Sequence, residues 1–140
     1  MWLFYAFLSA FFAALVAIFA KLGLKDIDST LATTVRSIIM AVFLVIVTFA
    51  LKKFDGFTIS SFSGREWMLI VFAGVAGAMS WLFYFSALKS GIATSVVAID
   101  KLSIVFVVIL AVFFLGETLT WKVGLGALVM TFGAILMVLK

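Results

Sequence analysis

The chain of 140 residues has no His, Cys, Asn, Gln or Pro. Without Cys there is neither a disulfide nor thiol chemistry. Without His and Cys, the usual zinc ligand sets cannot be assembled. The same gaps exclude Ser/His/Asp and Cys/His nucleophilic sites. Charge is scarce as well, at 11% of residues, with ten Lys or Arg against six Asp or Glu and a net charge of +4. No basic run exceeds the pair Lys52–Lys53, so nothing points to nucleic acid as a partner. No metal or cofactor is expected, and an enzyme is disfavoured because the apolar segments hold a single carboxylate, Asp100.

What the chain does have is apolar length. Hydrophobic residues make up 67%, where a soluble domain would be near half. Five stretches read as membrane-spanning helices, at about 2–22, 30–51, 66–89, 92–115 and 121–139. The ten-residue alternating segments of a β-barrel are missing. No positive region precedes the first apolar run, so it is expected to be a retained helix and not a cleaved signal peptide.

Small residues recur at helical spacing. Ser9, Ala13 and Ala17 form one stripe, and Ala127, Thr131 and Ala134 another. Gly74/Ala78 and Ala73/Gly77 match the small-xxx-small pattern that lets helices approach closely. Lys21 is expected to snorkel to the interface, or to serve the site as a secondary candidate. Trp67 is placed as an interfacial anchor. Trp81 and Tyr84, three residues apart, share a helix face and are candidate walls of a cavity. Thr118 or Thr120 is expected to cap the last helix.

The fourth stretch carries Asp100 and Lys101 inside its apolar run. Two central charges cost roughly 5–7 kcal/mol on insertion scales. Between positions 92 and 115 stand 16 Leu, Ile, Val or Phe residues, which together offset about 5–10 kcal/mol. The segment can insert, but the pair is a large penalty to keep, and intramembrane ionisable groups usually mark a pathway. Arg36 lies about 9 Å inside the second helix and Asp100 about 12 Å inside the fourth, at comparable depth. Neighbours on a regular helix do not face one another. The expectation is therefore an Arg36–Asp100 pair. Lys101 is then left for a cavity, an anionic ligand or Glu117 of the partner subunit. The net positive balance suggests a substrate with an anionic group, zwitterionic or not.

Five helices put the chain ends on opposite sides. One side then holds Lys52, Lys53, Arg65 and Lys122, the other Lys21, Lys25, Lys89 and Lys140. Orientation follows a Lys/Arg bias between loops, and here that bias is zero. Insertion in both orientations and an antiparallel homodimer are expected, giving ten helices on an inverted-repeat plan.

The runs ALKSGIATSVVAIDKLSIVF and LGETLTWKVGLGALVMTFGAILMVL, with FFAALVAIFAKLGLKDIDSTLATTVRSIIM near the start, resemble EamA domains of the drug/metabolite transporter superfamily. The most specific parts are I-D-K-L-S, ending at Ser103, and L-G-E, ending at Glu117. The resemblance spans nearly the whole chain. It implies an all-α integral membrane protein of five helices, half of a ten-helix transporter. A single-repeat chain would then have to dimerise. It also implies a secondary active exporter or exchanger of small polar or amphipathic metabolites, in a prokaryotic inner membrane. The partners implied are the lipid bilayer, a small-molecule substrate and a second copy of the chain. The first helix has no acid, unlike the similar four-helix small multidrug resistance proteins. Arg36, Asp100, Lys101, Ser103, Trp81 and Tyr84 are the candidate site. The competing reading is an accessory subunit of a membrane transporter or of a lipid-carrier flippase.

Overall fold

A computed structural model describes residues 1–139. The regular structure is helical: α1 (Trp2–Gly23), α2 (Ser29–Ala50), α3 (Gly64–Ser90), α4 (Ala93–Asp100), α5 (Ser103–Leu110) and α6 (Trp121–Leu136). A short 3₁₀ turn, Ile59–Ser61, lies between α2 and α3, and a π turn, Ala111–Leu115, follows α5. Four segments are long and apolar enough to cross a membrane: α1, α2, α3 and the run Ala93–Leu115. The fifth expected span is shorter. α6 has 16 residues, about 24 Å at 1.5 Å per residue, against a hydrocarbon core of about 30 Å. Backbone bonds from Met137, Val138 and Leu139 to Gly133 and Ile135 extend its last turn.

Helix ends follow from local chemistry. Asp28 caps α2, its Oδ1 accepting from the N–H groups of Thr30 (2.9 Å) and Leu31 (3.0 Å). Ser63 and Glu66 form a capping box at α3: Glu66 Oε2 accepts from the Ser63 N–H at 2.7 Å, and the Glu66 N–H donates to Ser63 Oγ at 3.3 Å. Of the two threonines considered for α6, Thr120 is the cap, accepting from the Val123 N–H at 3.3 Å. Hydroxyls inside the apolar helices turn back on their own backbone. Thr33, Ser37, Thr48, Ser86 and Thr131 each donate to the carbonyl four residues earlier. That satisfies them without water, which a bilayer interior cannot provide.

The chain divides into two compact units, residues 1–22 with 90–140 and residues 23–89. In the first, α6 packs against α4 and α5. Its buried side chains are Ala17, Ala98, Ala111 and Ala134, so packing rests on close backbone approach. Ala17 and Ala134 come from the stripes seen in the sequence. Lys21 Nζ donates to the Gly91 carbonyl at 2.7 Å, tying the end of α1 to the turn before α4.

In the second unit α2 and α3 run antiparallel. Lys89 Nζ donates to the Ile27 carbonyl at 2.9 Å, and the Ser29 and Ser86 hydroxyls lie 3.2 Å apart. Arg36 meets Trp81 further along. The turn between the helices is closed by a chain of rings, Phe49–Phe54–Phe57–Phe62–Trp67, with successive centroids 4.9, 6.2, 5.8 and 5.5 Å apart. Buried side chains here are larger: Leu24, Thr33, Phe85 and Leu88. Most other large apolar side chains are exposed; Phe113 and Phe114 are 80% and 82% exposed. A water-soluble protein does not tolerate apolar surface on that scale, and lipid tails cover it at no cost.

Candidate functional site

Arg36 sits seven residues into α2, half-buried. Its Cζ lies 3.8 Å from the centroid of the Trp81 ring and 5.3 Å from that of Phe85. The guanidinium therefore stacks on an aromatic face, an arrangement in which a cation is attracted by the ring quadrupole. One of its terminal nitrogens, Nη1 (NH1 below), is fully buried and has no hydrogen-bond partner among the described residues. Trp81, Tyr84 and Phe85 on α3 form an edge-to-face triad. Centroid separations are 5.5 Å (Trp81–Tyr84), 5.7 Å (Trp81–Phe85) and 6.2 Å (Tyr84–Phe85). Phe85 went unnoticed in the sequence, though it lies four residues from Trp81 on the same helix face. Thr33 and Ser37, which flank Arg36, donate to their own helix instead.

The second charged place is a break in the fourth span. α4 ends at Asp100, and α5 begins at Ser103. Across the break the backbone bonds tighten from four-residue to three-residue spacing. Lys101 N–H reaches the Val97 and Ala98 carbonyls at 3.3 and 3.2 Å, and Leu102 N–H reaches Ile99 at 2.9 Å. Ile104 and Val105 repeat the short spacing onto Lys101 and Leu102. After the eight residues of α5 the same segment loosens into the π turn, ended by Gly116 in the left-handed region at φ 67°. The fourth span thus departs twice from regular α-helical geometry, first tightened and then loosened.

Here the structure corrects a sequence argument. Asp100 and Lys101 do reach each other, with Lys101 Nζ 3.5 Å from Asp100 Oδ2. The rule that adjacent residues diverge belongs to a regular helix, and at Lys101 (ψ −11°) the helix has already ended. Asp100 is thus engaged with Lys101, while Arg36 is engaged with rings. Both side chains of the ion pair stay partly accessible, 39% for Asp100 and 55% for Lys101. Ser103 opens α5 and is exposed. Lys21 is occupied at the Gly91 carbonyl. Glu117 follows Gly116 outside the helices and is exposed. The structure brings Arg36, Trp81 and Tyr84 together in one unit, and Asp100, Lys101 and Ser103 in the other. Among the described residues no group of His, Cys, Asp or Glu could hold a metal ion.

A family model described as "EamA-like transporter family" matches residues 1–139. A Sinorhizobium protein described as an uncharacterized transporter in the cobO 3' region is 42% identical over 136 residues, covering 97% of this chain and 95% of that protein. No solved structure matches.

Proposed function

The chain belongs to the EamA-like transporter family, and we propose that it is a secondary active transporter of small polar or amphipathic metabolites, working by alternating access as an antiparallel homodimer. The observation that carries this reading is Arg36. It is a cation within a membrane-spanning helix, stacked on Trp81, with one nitrogen buried and unpartnered. A structural arginine would have its donors satisfied; a recognition arginine keeps one for its ligand.

Arg36, Trp81 and Tyr84 bind, and the break at Asp100–Ser103 bends as the site changes the side it faces. The ion pair at the break keeps two charges mutually neutralised while the segment flexes. The balanced tally of Lys and Arg supports an antiparallel pair. α3 leaves room for a second helix, whatever its direction: a Cβ built at Gly74 or Gly77 meets nothing within 4 Å. These glycines are small where nothing in this chain requires it, and a second helix can approach there. An inner membrane of a prokaryote is the expected location, in line with the bacterial relative.

Uptake into proteoliposomes of a labelled panel of anionic, zwitterionic, neutral and cationic metabolites tests the proposal. Accumulation of at least one of them, lost on Arg36→Ala, supports it. Uptake unchanged in both Arg36→Ala and Asp100→Ala removes the site.

A further inference from the structure

We infer that the ligand at Arg36 is an amphipathic monocarboxylate: one planar carboxylate joined to a flat apolar or aromatic body. The inference rests on the transporter reading above and narrows it.

One face of the Arg36 guanidinium is covered by Trp81 at 3.8 Å. What stays unused is NH1, an in-plane donor held away from water with nothing to accept from it. α2 contains no Asp or Glu. The acids of this unit lie in turns or at helix starts: Asp26, Asp28, Asp55 and Glu66. Asp28 is spent on capping α2, and Glu66 on Ser63. The cation therefore has no counter-charge among the acids of its own two helices at membrane depth. In the other unit, Lys101 lies beside Asp100 and the two cancel. Of Arg36, Asp100 and Lys101, it is Arg36 that has no ion pair among the described residues.

Geometry selects the anion. A guanidinium presents its N–H groups in one plane, and a carboxylate matches that fork with two oxygens. A single uncompensated cation balances a single negative charge, so a phosphate dianion is left over-charged in an apolar surround. A cationic ligand meets like charge and is rejected. The rest of the ligand is set by the neighbours of Arg36. The edge-to-face triad of Trp81, Tyr84 and Phe85 extends from the ring on which the guanidinium rests. Aromatic walls of this kind prefer flat apolar bodies. A carboxylate reaching the guanidinium therefore has its apolar part laid along Trp81 and Tyr84, the partly accessible rings of the triad.

Three probes of one shape and different charge test this: indole-3-acetate, indole-3-acetamide and tryptamine. Each is added to the purified full chain in nanodiscs and the melting temperature is read, since a ligand that binds only the folded state raises it. Indole-3-acetate should raise it in a saturable way, and the amide and amine should not at equal concentration. Acetate and inorganic phosphate should need at least about ten-fold more for the same shift. Arg36→Gln should abolish the response, and Trp81→Ala should weaken it at least about ten-fold. Should Arg36→Gln fail to fold, Arg36→Lys keeps the charge but loses the fork, and its response should also fall about ten-fold or more. An equal shift from the amide, an undiminished shift in Arg36→Gln, or full affinity in Arg36→Lys overturns the inference. Uptake of a neutral or cationic metabolite by vesicles, with no carboxylate response, would remove this inference and leave the transporter reading. A carboxylate response without uptake of any metabolite would do the reverse.

Discussion

The two units of this chain keep charge inside apolar helices in opposite ways. In the α2–α3 unit a lone cation lies on aromatic faces and keeps one donor unspent. In the unit of α4–α6 an acid and a base stand next to one another and close on themselves, 3.5 Å apart, because the helix breaks between them and α5. Packing differs in the same sense. The first arrangement sits among bulky residues such as Phe85 and Leu88, the second beside helices whose buried contacts are alanines. The buried contacts of the first are large side chains, whereas the alanines of the second let helix backbones approach closely. On the proposed function, recognition and movement would occupy separate regions: Arg36 and its rings would hold the ligand, and the Asp100–Ser103 break would move.

That division can be broken experimentally, and the largest effect belongs to Arg36. Arg36→Gln should lower uptake by about 100-fold or more, since a charged hydrogen bond to a ligand is worth about 1.5–3 kcal/mol and the cation–π contact adds to it. Trp81→Ala comes next. It should cost about 10–30-fold in half-saturation concentration, following about 2 kcal/mol for a desolvated cation–π contact, while Trp81→Phe should cost less. At the break, Asp100→Ala and Lys101→Ala should each reduce folded yield, with the double variant partly restored. The coupling between them should be about 0.6–1.7 kcal/mol, the range found for polar pairs within membranes, read from a double-mutant cycle on unfolding. A coupling of zero would dissolve the distinction between a self-contained pair and a lone cation.

The smallest effect concerns the end of α2. Lys52 adopts φ 52°, and Lys53 N–H closes back on the Thr48 carbonyl at 3.0 Å. This is a helix end that ordinarily takes glycine. Lys52→Gly should stabilise by about 1 kcal/mol in a thermal melt, with uptake unaltered. That outcome would separate stability from function within the recognition unit itself.

The helical membrane class was legible because apolar runs of spanning length have no other reading. The place of Arg36 within the second helix and the shared face of Trp81 and Tyr84 were legible too, since both follow from helix geometry. Hidden from the sequence was the break after Asp100. The run 92–115 holds neither proline nor an internal glycine, so nothing in its composition marks a tightened turn. The contact between Asp100 and Lys101 was missed for the same reason: a regular helix was assumed where the helix ends. Phe85 was overlooked because one more Phe among 17 carries no signal by itself. Only the position of Arg36 above it gives it a role. The length of α6 was overstated, because Met137–Leu139 are as apolar as the helix before them although the regular turns stop at Leu136.

The central claim is that Arg36 recognises and the break moves. The concentration dependence of indole-3-acetate uptake into proteoliposomes tests it most directly, comparing Arg36→Lys with the double variant Asp100→Asn/Lys101→Met. The account predicts a half-saturation concentration raised at least about ten-fold for Arg36→Lys. For the double variant it predicts a reduced maximal rate at nearly unchanged half-saturation. Unchanged half-saturation in Arg36→Lys, or a double variant whose only defect is in half-saturation, would contradict it.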